Sequence, residues 1–233
     1  MIPTSPVTGP PADWGQGYVT VAPTLRTILR DGFPHRGLSV STNHWRRANR
    51  RHLLGSLAGV LWASLRPSFG GRVQSAGALY LRVYRGDTGQ VEELGLAAIR
   101  LVTTAGVNFL VDAWQNTTEL ENLRFHGYGT GVAAEATGDT ALGTEETTQY
   151  NPDNTRPTGT LAEGASANIF RTVGTYTPDS GGTRAITEHG VFSQAATGGG
   201  TLWDRSVFSV VNLNSANGDS LETTYEATFP AGG

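Results

Sequence analysis

The sequence has no cysteine, no lysine and no long uninterrupted apolar run. Without cysteine, neither disulfides nor thiolate metal sites contribute to the fold, which must rely on packing, hydrogen bonding or association. The longest apolar run, from Leu53 to Leu65, is broken by glycine and serine and is too short to cross a bilayer. Residues 1–13 lack the positive charge and the apolar core of a secretion signal. The sequence therefore predicts neither a membrane span nor a signal peptide.

The 17 basic residues are all arginine, and they are unevenly distributed along the chain. Residues 1–100 hold 12 arginines against five acids, a balance of +7, whereas residues 101–233 hold five arginines against 15 acids, a balance of −10. The net charge of −3 conceals this division. Halves of opposite charge favour contact with each other or with neighbouring copies. A nucleic-acid partner for the basic half is the less favoured alternative.

Composition divides the chain into three regions. Residues 1–40 begin with a proline-rich segment and predict an extended N-terminal arm followed by short strands, although the stretch from Thr24 to Leu29 could be either one helical turn or a strand. Residues 41–75 form a basic helix region, because the stretch from Ser41 to Arg66 begins with capping residues, ends before a proline and places leucines at helical spacing. Residues 76–233 predict a β-sandwich domain that contains one short helix.

The third region alternates short apolar or β-branched runs with turn-forming breaks. A hairpin is predicted from Gly77 to Val102, and four strand-like runs follow between Ser166 and Phe229. The segment from Thr104 to Gln115 has a threonine cap and apolar residues at helical spacing, so it predicts a short helix on the sheet. The predicted fold class is mainly β: an antiparallel β-sandwich, with a jelly roll as one form of it, one or two packed helices and the extended arm.

Five aromatic side chains of this region are expected to fill its cores: Trp114, Phe170, Phe192, Phe208 and Phe229.

Two short patterns have catalytic counterparts, but their settings favour structural roles. Asp87-Thr88-Gly89 matches the tripeptide of aspartic proteases, yet it lies at the polar tip expected between two strands. Glu188 and His189, together with His126, could form a carboxylate and imidazole pair for metal binding or base catalysis. No metal-ligand spacing accompanies them, and a structural role such as hydrogen bonding to loop backbone is favoured. The sequence predicts no catalytic residue, no metal and no cofactor.

A long segment from Val132 to Ala165 is rich in threonine, glycine and acids. A loop of this length in a compact domain is usually functional or held by a partner. Paired carboxylates in it, such as Glu145 and Asp153, leave open an enzyme acting on host glycans, or a glycan-binding protein. Solvated loop acids are the simpler interpretation.

An arginine cluster begins the predicted long helix. Arg46, Arg47, Arg50 and Arg51 lie beside Trp45, so guanidinium groups could neutralise phosphates while the indole stacks on a base. The overall acidity instead favours a protein interface. The residues expected to contact neighbouring subunits are those of the arm and of this cluster: Trp14, Trp45, Arg46, Arg47, Arg50 and Arg51.

Six stretches carry a resemblance to a known class of protein: Val102-Thr-Thr-Ala-Gly-Val-Asn-Phe-Leu-Val-Asp-Ala-Trp, Phe125-His-Gly-Tyr-Gly-Thr-Gly, Asp139-Thr-Ala-Leu-Gly-Thr-Glu, Ile186-Thr-Glu-His-Gly-Val-Phe, Leu202-Trp-Asp-Arg-Ser-Val-Phe and Tyr225-Glu-Ala-Thr-Phe-Pro-Ala-Gly-Gly. They resemble virion structural proteins of tailed bacteriophages, and the similarity covers about residues 90–233. The resemblance implies a non-enzymatic β-rich protein, either a capsid cement or decoration protein or a tail, head-to-tail connector or fibre component.

The resemblance also implies partners and a location. A cement protein would bind the phage major capsid protein or other virion subunits as a homo-oligomer, with a trimer expected first. It would be made in the bacterial host cytoplasm and lie on the capsid surface of the virion. No membrane partner is expected.

Overall fold

A computed structural model describes residues 25–64, 76–179 and 182–229 of the chain. Within these ranges the α-helices are α1 (Leu25–Gly32), α2 (Val40–Ser64) and α3 (Thr104–Trp114). The strands are β1 (Ala76–Tyr84), β2 (Val91–Leu101), β3 (Phe125–Gly129), β4 (Thr160–Glu163), β5 (Ile169–Tyr176), β6 (Thr183–Phe192), β7 (Leu202–Asn214) and β8 (Ser220–Thr228).

The strands form two antiparallel sheets that face each other. The larger sheet has the order β2-β1-β8-β5-β4, and the smaller sheet has the order β3-β6-β7. The predicted mainly β fold, an antiparallel sandwich, is confirmed.

The predicted hairpin is formed by β1 and β2. The amide of Arg85 donates to the carbonyl of Gln90 over 2.9 Å, and Gly89 adopts a left-handed φ of 65° that closes the turn. Asp87 lies at the exposed tip, where the side-chain amide of Asn217 donates to its carboxylate over 3.1 Å. The tripeptide therefore has the turn setting expected from its polar neighbours.

The first and last strands of the described chain lie side by side. β1 pairs with β8 from Ala76↔Thr228 to Tyr84↔Ser220, which places the two ends of the domain in the middle of the larger sheet. Ion pairs join the halves of opposite charge here, including Arg82 with Glu222 at 3.0 Å. The predicted contact between the two halves is thus present within one chain.

The core lies between the sheets and accounts for most of the predicted aromatic residues. Phe208 is buried in it, whereas Phe170 and Phe229 are partly buried against it. Phe192 is buried in a smaller cluster with Leu142 and Leu202. The prediction for Trp114 is wrong, because its side chain is 69% exposed.

Residues 25–32 are helical, which is one of the two conformations predicted for the stretch from Thr24 to Leu29. They form helix α1, and its Ile28 is buried with Leu53 of α2 and with Leu96 and Ile99 of β2. Burial of this apolar residue against β2 favours the helix over a solvated arm. The proline-rich arm itself, with Trp14, lies outside the described residues.

Candidate functional site

Helix α2 has an inner face that fastens it to the sandwich. Trp45 is 9% exposed, and its indole Nε1 donates to the backbone carbonyls of Ser209 at 3.0 Å and Val210 at 3.2 Å. One turn later, the side-chain amide of Asn49 donates to the carbonyl of Ala97, and its oxygen accepts from the backbone amide of Ser209. This face therefore pairs with the backbone of both β2 and β7.

Arg46 belongs to the same inner face and is 3% exposed. Its guanidinium donates to the carbonyls of Leu94 at 2.8 Å, Arg30 at 3.0 Å and Glu93 at 3.2 Å. Burial lowers the pKa of Arg46, and the nearby carboxylates of Asp31 and Glu93 oppose that shift. Its charge is thus used to hold α1, α2 and β2 together.

The structure corrects the interface prediction for Trp45 and Arg46. Both side chains are enclosed by the strands and helices of their own chain, so neither is open to a neighbouring subunit. Arg47, Arg50 and Arg51 do lie on the outer face of α2, and their role at an interface stays a prediction.

The outer face of α2 is a basic stripe, defined here by Arg47, Arg50, Arg51 and Leu54. These residues follow the i, i+3, i+4, i+7 spacing of one helix face, and Leu54 is 47% exposed. Among the described residues, no carboxylate forms an ion pair with its three arginines. The stripe is positively charged, solvated and free of intrachain ion pairs in this part of the chain.

Helix α3 lies on β7 through a small-residue contact. The hydroxyl of Thr103 accepts from the amide of Gly106 over 2.9 Å and so caps the helix. A side chain at Gly106 would meet the backbone of Trp203 at 2.9 Å, which shows how closely the helix approaches the strand. Phe109 is the buried anchor of this contact.

The opposite side of α3 is an apolar stripe, defined by Val107, Val111 and Trp114. Their side chains are 48%, 41% and 69% exposed, at the i, i+4, i+7 spacing of one face. Asp112, in the last turn of α3, and Glu119 and Glu121, in the turn that follows, are exposed. An exposed apolar strip rimmed by polar residues is typical of an interaction surface.

The sequence did not identify the apolar stripe. Its signal is the composition of α3, which has more apolar residues than one face can bury: Val107, Phe109, Leu110, Val111 and Trp114. An amphipathic helix has a polar side, and α3 is apolar on two sides.

Glu188, one of the candidate catalytic residues, holds loop backbone. Its buried carboxylate accepts from the amides of Gly131, Gly143 and Thr144 at 2.7 to 2.9 Å. The guanidinium of Arg205 donates to the same carboxylate over 2.9 Å. The predicted hydrogen bonds to loop backbone are present, and they leave this carboxylate no free face.

Glu145, a candidate acid of the long segment from Val132 to Ala165, forms an ion pair with Arg156. Nε and Nη2 of Arg156 reach the two carboxylate oxygens at 2.5 and 2.9 Å, while Nη1 donates to the carbonyls of Gln194 and Gly199. The guanidinium also stacks 3.5 Å from the ring centroid of Phe192. Asp153 is exposed in the loop. Through Arg156, Glu145 is therefore linked to the loop that contains Gln194 and Gly199.

A shallow groove of about 870 Å³ runs over the outer face of the larger sheet. Its charged side chains pair with one another: Arg82 with Glu93 and Glu222, and Arg171 with Glu226. The groove thus presents internally neutralised charge.

In the described ranges, His, Asp and Glu side chains nowhere gather in a group of three or more that could hold a metal ion. None of the helices described above combines the length and apolar character of a bilayer span.

Comparison of the chain with protein-family models, with curated proteins and with solved structures finds no match.

Proposed function

We propose that this chain is a structural assembly protein that associates with copies of itself and with neighbouring subunits. The observation that carries the proposal is the apolar stripe of α3, where Trp114 is 69% exposed beside Val107 and Val111. Aromatic and arginine side chains are the commonest anchors of protein interfaces. The chain places an exposed tryptophan on one helix and exposed arginines on another.

The clusters that could have supported chemistry are occupied by structural contacts. Glu188 holds three backbone amides, and both oxygens of Glu145 are bound by Arg156. A general acid or nucleophile must be free to reach a substrate. These contacts favour a binding role over a glycan-hydrolysing one.

The specific form of the proposal is a bacteriophage capsid cement protein, as the sequence resemblance implies. Such a protein adds buried area across the joints between shell subunits, so that internal DNA pressure must break more contact to open a seam. The major capsid protein is the partner in this proposal, and a homotrimer is the expected free form.

Self-association is tested by light scattering on the purified full-length chain over a range of concentrations. The wild type should be an oligomer, and Trp114→Ser should shift it towards monomer while the thermal unfolding midpoint is unchanged. Val132→Ser is the matched control, because Val132 is 75% exposed but lies outside α3. A wild-type chain that stays monomeric, or a Trp114→Ser oligomer of unchanged size, would overturn the proposal.

The virion role is tested by counting copies in purified phage particles by quantitative mass spectrometry. Copies on the order of hundreds, in proportion to the major capsid protein, support decoration. A few copies in a small symmetric ring would instead support the tail or connector alternative. Absence of the chain from the particles would refute both.

A further inference from the structure

The two exposed stripes of this chain have complementary character. Elsewhere in the described ranges, seven arginines pair with carboxylates of their own chain, whereas Arg26, Arg36, Arg46 and Arg124 do not; the paired ones are Arg30, Arg82, Arg85, Arg100, Arg156, Arg171 and Arg205. Arg47, Arg50 and Arg51 have no such partner within those ranges, although the chain carries more acids than arginines. The basic stripe is therefore an uncompensated positive surface on an acidic protein.

Three exposed acids in the last turn of α3 and in the turn after it carry the corresponding negative charge and are named the acidic border here: Asp112, Glu119 and Glu121. Within the described part of the chain, the carboxylates of Asp112, Glu119 and Glu121 form no ion pair. Glu119 and Glu121 flank Leu120, which is 42% exposed in the turn after α3. Exposed negative charge thus lies on and directly after the helix that carries the apolar stripe.

We propose that the basic stripe of one copy docks on the apolar stripe and acidic border of a second copy. This inference rests on the proposed self-association and names the two surfaces that meet. Leu54 and the arginine stems would cover Val107 and Val111, since long basic side chains bury their apolar stems while their charges stay solvated. A guanidinium over Trp114 adds a cation–π contact.

Charge disfavours a symmetric contact of the basic stripe with itself. A two-fold contact of the basic stripe with itself would bring six guanidinium groups together (three from each copy), and like charges across an interface disfavour association. Joining unlike surfaces gives a head-to-tail contact, which closes into a ring when the rotation between copies allows it. Such a ring is compatible with a trimer.

The test is a charge exchange between the two surfaces. In one variant the basic stripe is reversed (Arg47→Glu, Arg50→Glu, Arg51→Glu). In the second the acidic border is reversed (Asp112→Arg, Glu119→Arg, Glu121→Arg). A third variant combines both sets. All six side chains are exposed, so each variant should keep the thermal unfolding midpoint of the wild type.

Each single reversal should weaken self-association by roughly 100-fold or more at low salt, because like charges then face each other. The combined variant should recover association to within about tenfold of the wild type, since the charges are again complementary. High salt should weaken the wild type and the combined variant and should relieve the repulsion in the single reversals. Sedimentation velocity across a concentration series measures all four chains.

The outcomes separate this inference from the function on which it rests. A wild-type chain that is monomeric would refute the proposed self-association itself. An oligomeric wild type whose size survives reversal of the basic stripe would leave the function standing and overturn the inference in favour of an α3-to-α3 contact. Failure of the combined variant to recover would overturn it as well. Loss of nucleic-acid binding without loss of association, on reversal of the basic stripe, would assign that stripe to a nucleic acid instead.

Discussion

His126 Nδ1 lies 2.9 Å from His189 Nε2 in the interior between the two sheets. Both rings are fully buried, and the hydroxyls of Thr172 and Thr223 on the larger sheet lie within 3.0 Å of the His126 ring nitrogens. Burial lowers the pKa of His126 to about 3, and burial together with the neighbouring His126 holds the pKa of His189 well below 6.5. Both imidazoles are therefore neutral in the folded protein near neutral pH.

This pair predicts a loss of stability in mild acid. Below about pH 6.5 the unfolded chain binds a proton at residue 126, whereas folded His126 does not. As pH is lowered from that value to the folded pKa, His126 therefore lowers the free energy of unfolding by about 1.4 kcal/mol per pH unit. Urea unfolding between neutral pH and mild acid measures the slope. His126→Gln should flatten it, while Tyr128→Phe, a change in the same cluster, should shift all points equally. An unchanged slope in His126→Gln would contradict the prediction.

The stability contributed by Asp204 is expected to change with pH in the direction opposite to that of the histidine pair. Burial raises the pKa of its carboxyl to about 7, against the hydrogen bond from Ser206 and the charge of Arg100. The folded chain then holds a proton that the unfolded chain releases, so Asp204 lowers stability as pH rises from about 4 to about 7. As pH rises over that interval, the free energy of unfolding of Asp204→Asn should therefore increase relative to that of the wild type, which urea unfolding measures. Ser206→Ala, which removes the donor to Asp204, should enlarge the loss.

The buried pair of Arg156 and Glu145 predicts a large effect of truncation. Arg156→Ala leaves Glu145 without its partner and frees the carbonyls of Gln194 and Gly199, so it should lower the free energy of unfolding by about 3–5 kcal/mol. The matched control is Arg171→Ala, whose pair with Glu226 is partly exposed and should cost about 0–1 kcal/mol. Equal losses in the two variants, measured by urea unfolding, would count against a buried clamp.

Gly129 predicts a steric requirement beside Glu188. A side chain there would meet the carbonyl of Thr144 and approach Oε1 of Glu188 at 2.6 Å. Gly129→Ala should therefore lower the free energy of unfolding by roughly 1–3 kcal/mol, the usual cost of overpacking. Gly138→Ala is the control, since no heavy atom lies within 4 Å of its added carbon. A neutral Gly129→Ala in thermal unfolding would show that the loop can move away.

Local signals predicted the main elements well. The capping residues and leucine spacing that predict a helix from Ser41 agree with α2, and the polar turn at Asp87 agrees with the β1–β2 hairpin. These features depend on residues close together in the sequence. The structural role predicted for Glu188, His189 and His126 includes bonds to loop backbone only for Glu188, because the two histidines contact each other and threonine hydroxyls.

What failed depends on contacts between distant residues. Arg46 and Arg47 are neighbours in one basic cluster, yet Arg46 is buried because carbonyls of β2 and α1 surround its guanidinium. Trp114 is exposed because Gly106 and Phe109 take the side of α3 that faces β7. No local pattern distinguishes these alternatives, since the deciding partners lie far along the chain.

The adjacency of β1 and β8 also constrains how the protein is made. β1 is synthesised before β8, so one of its two edges has no partner until β8 has left the ribosome. One edge of β5 depends on the same strand. A chain cut short before β8 would lack the strand that joins both hairpins of the larger sheet, so premature termination before β8 would yield products that cannot complete the sandwich.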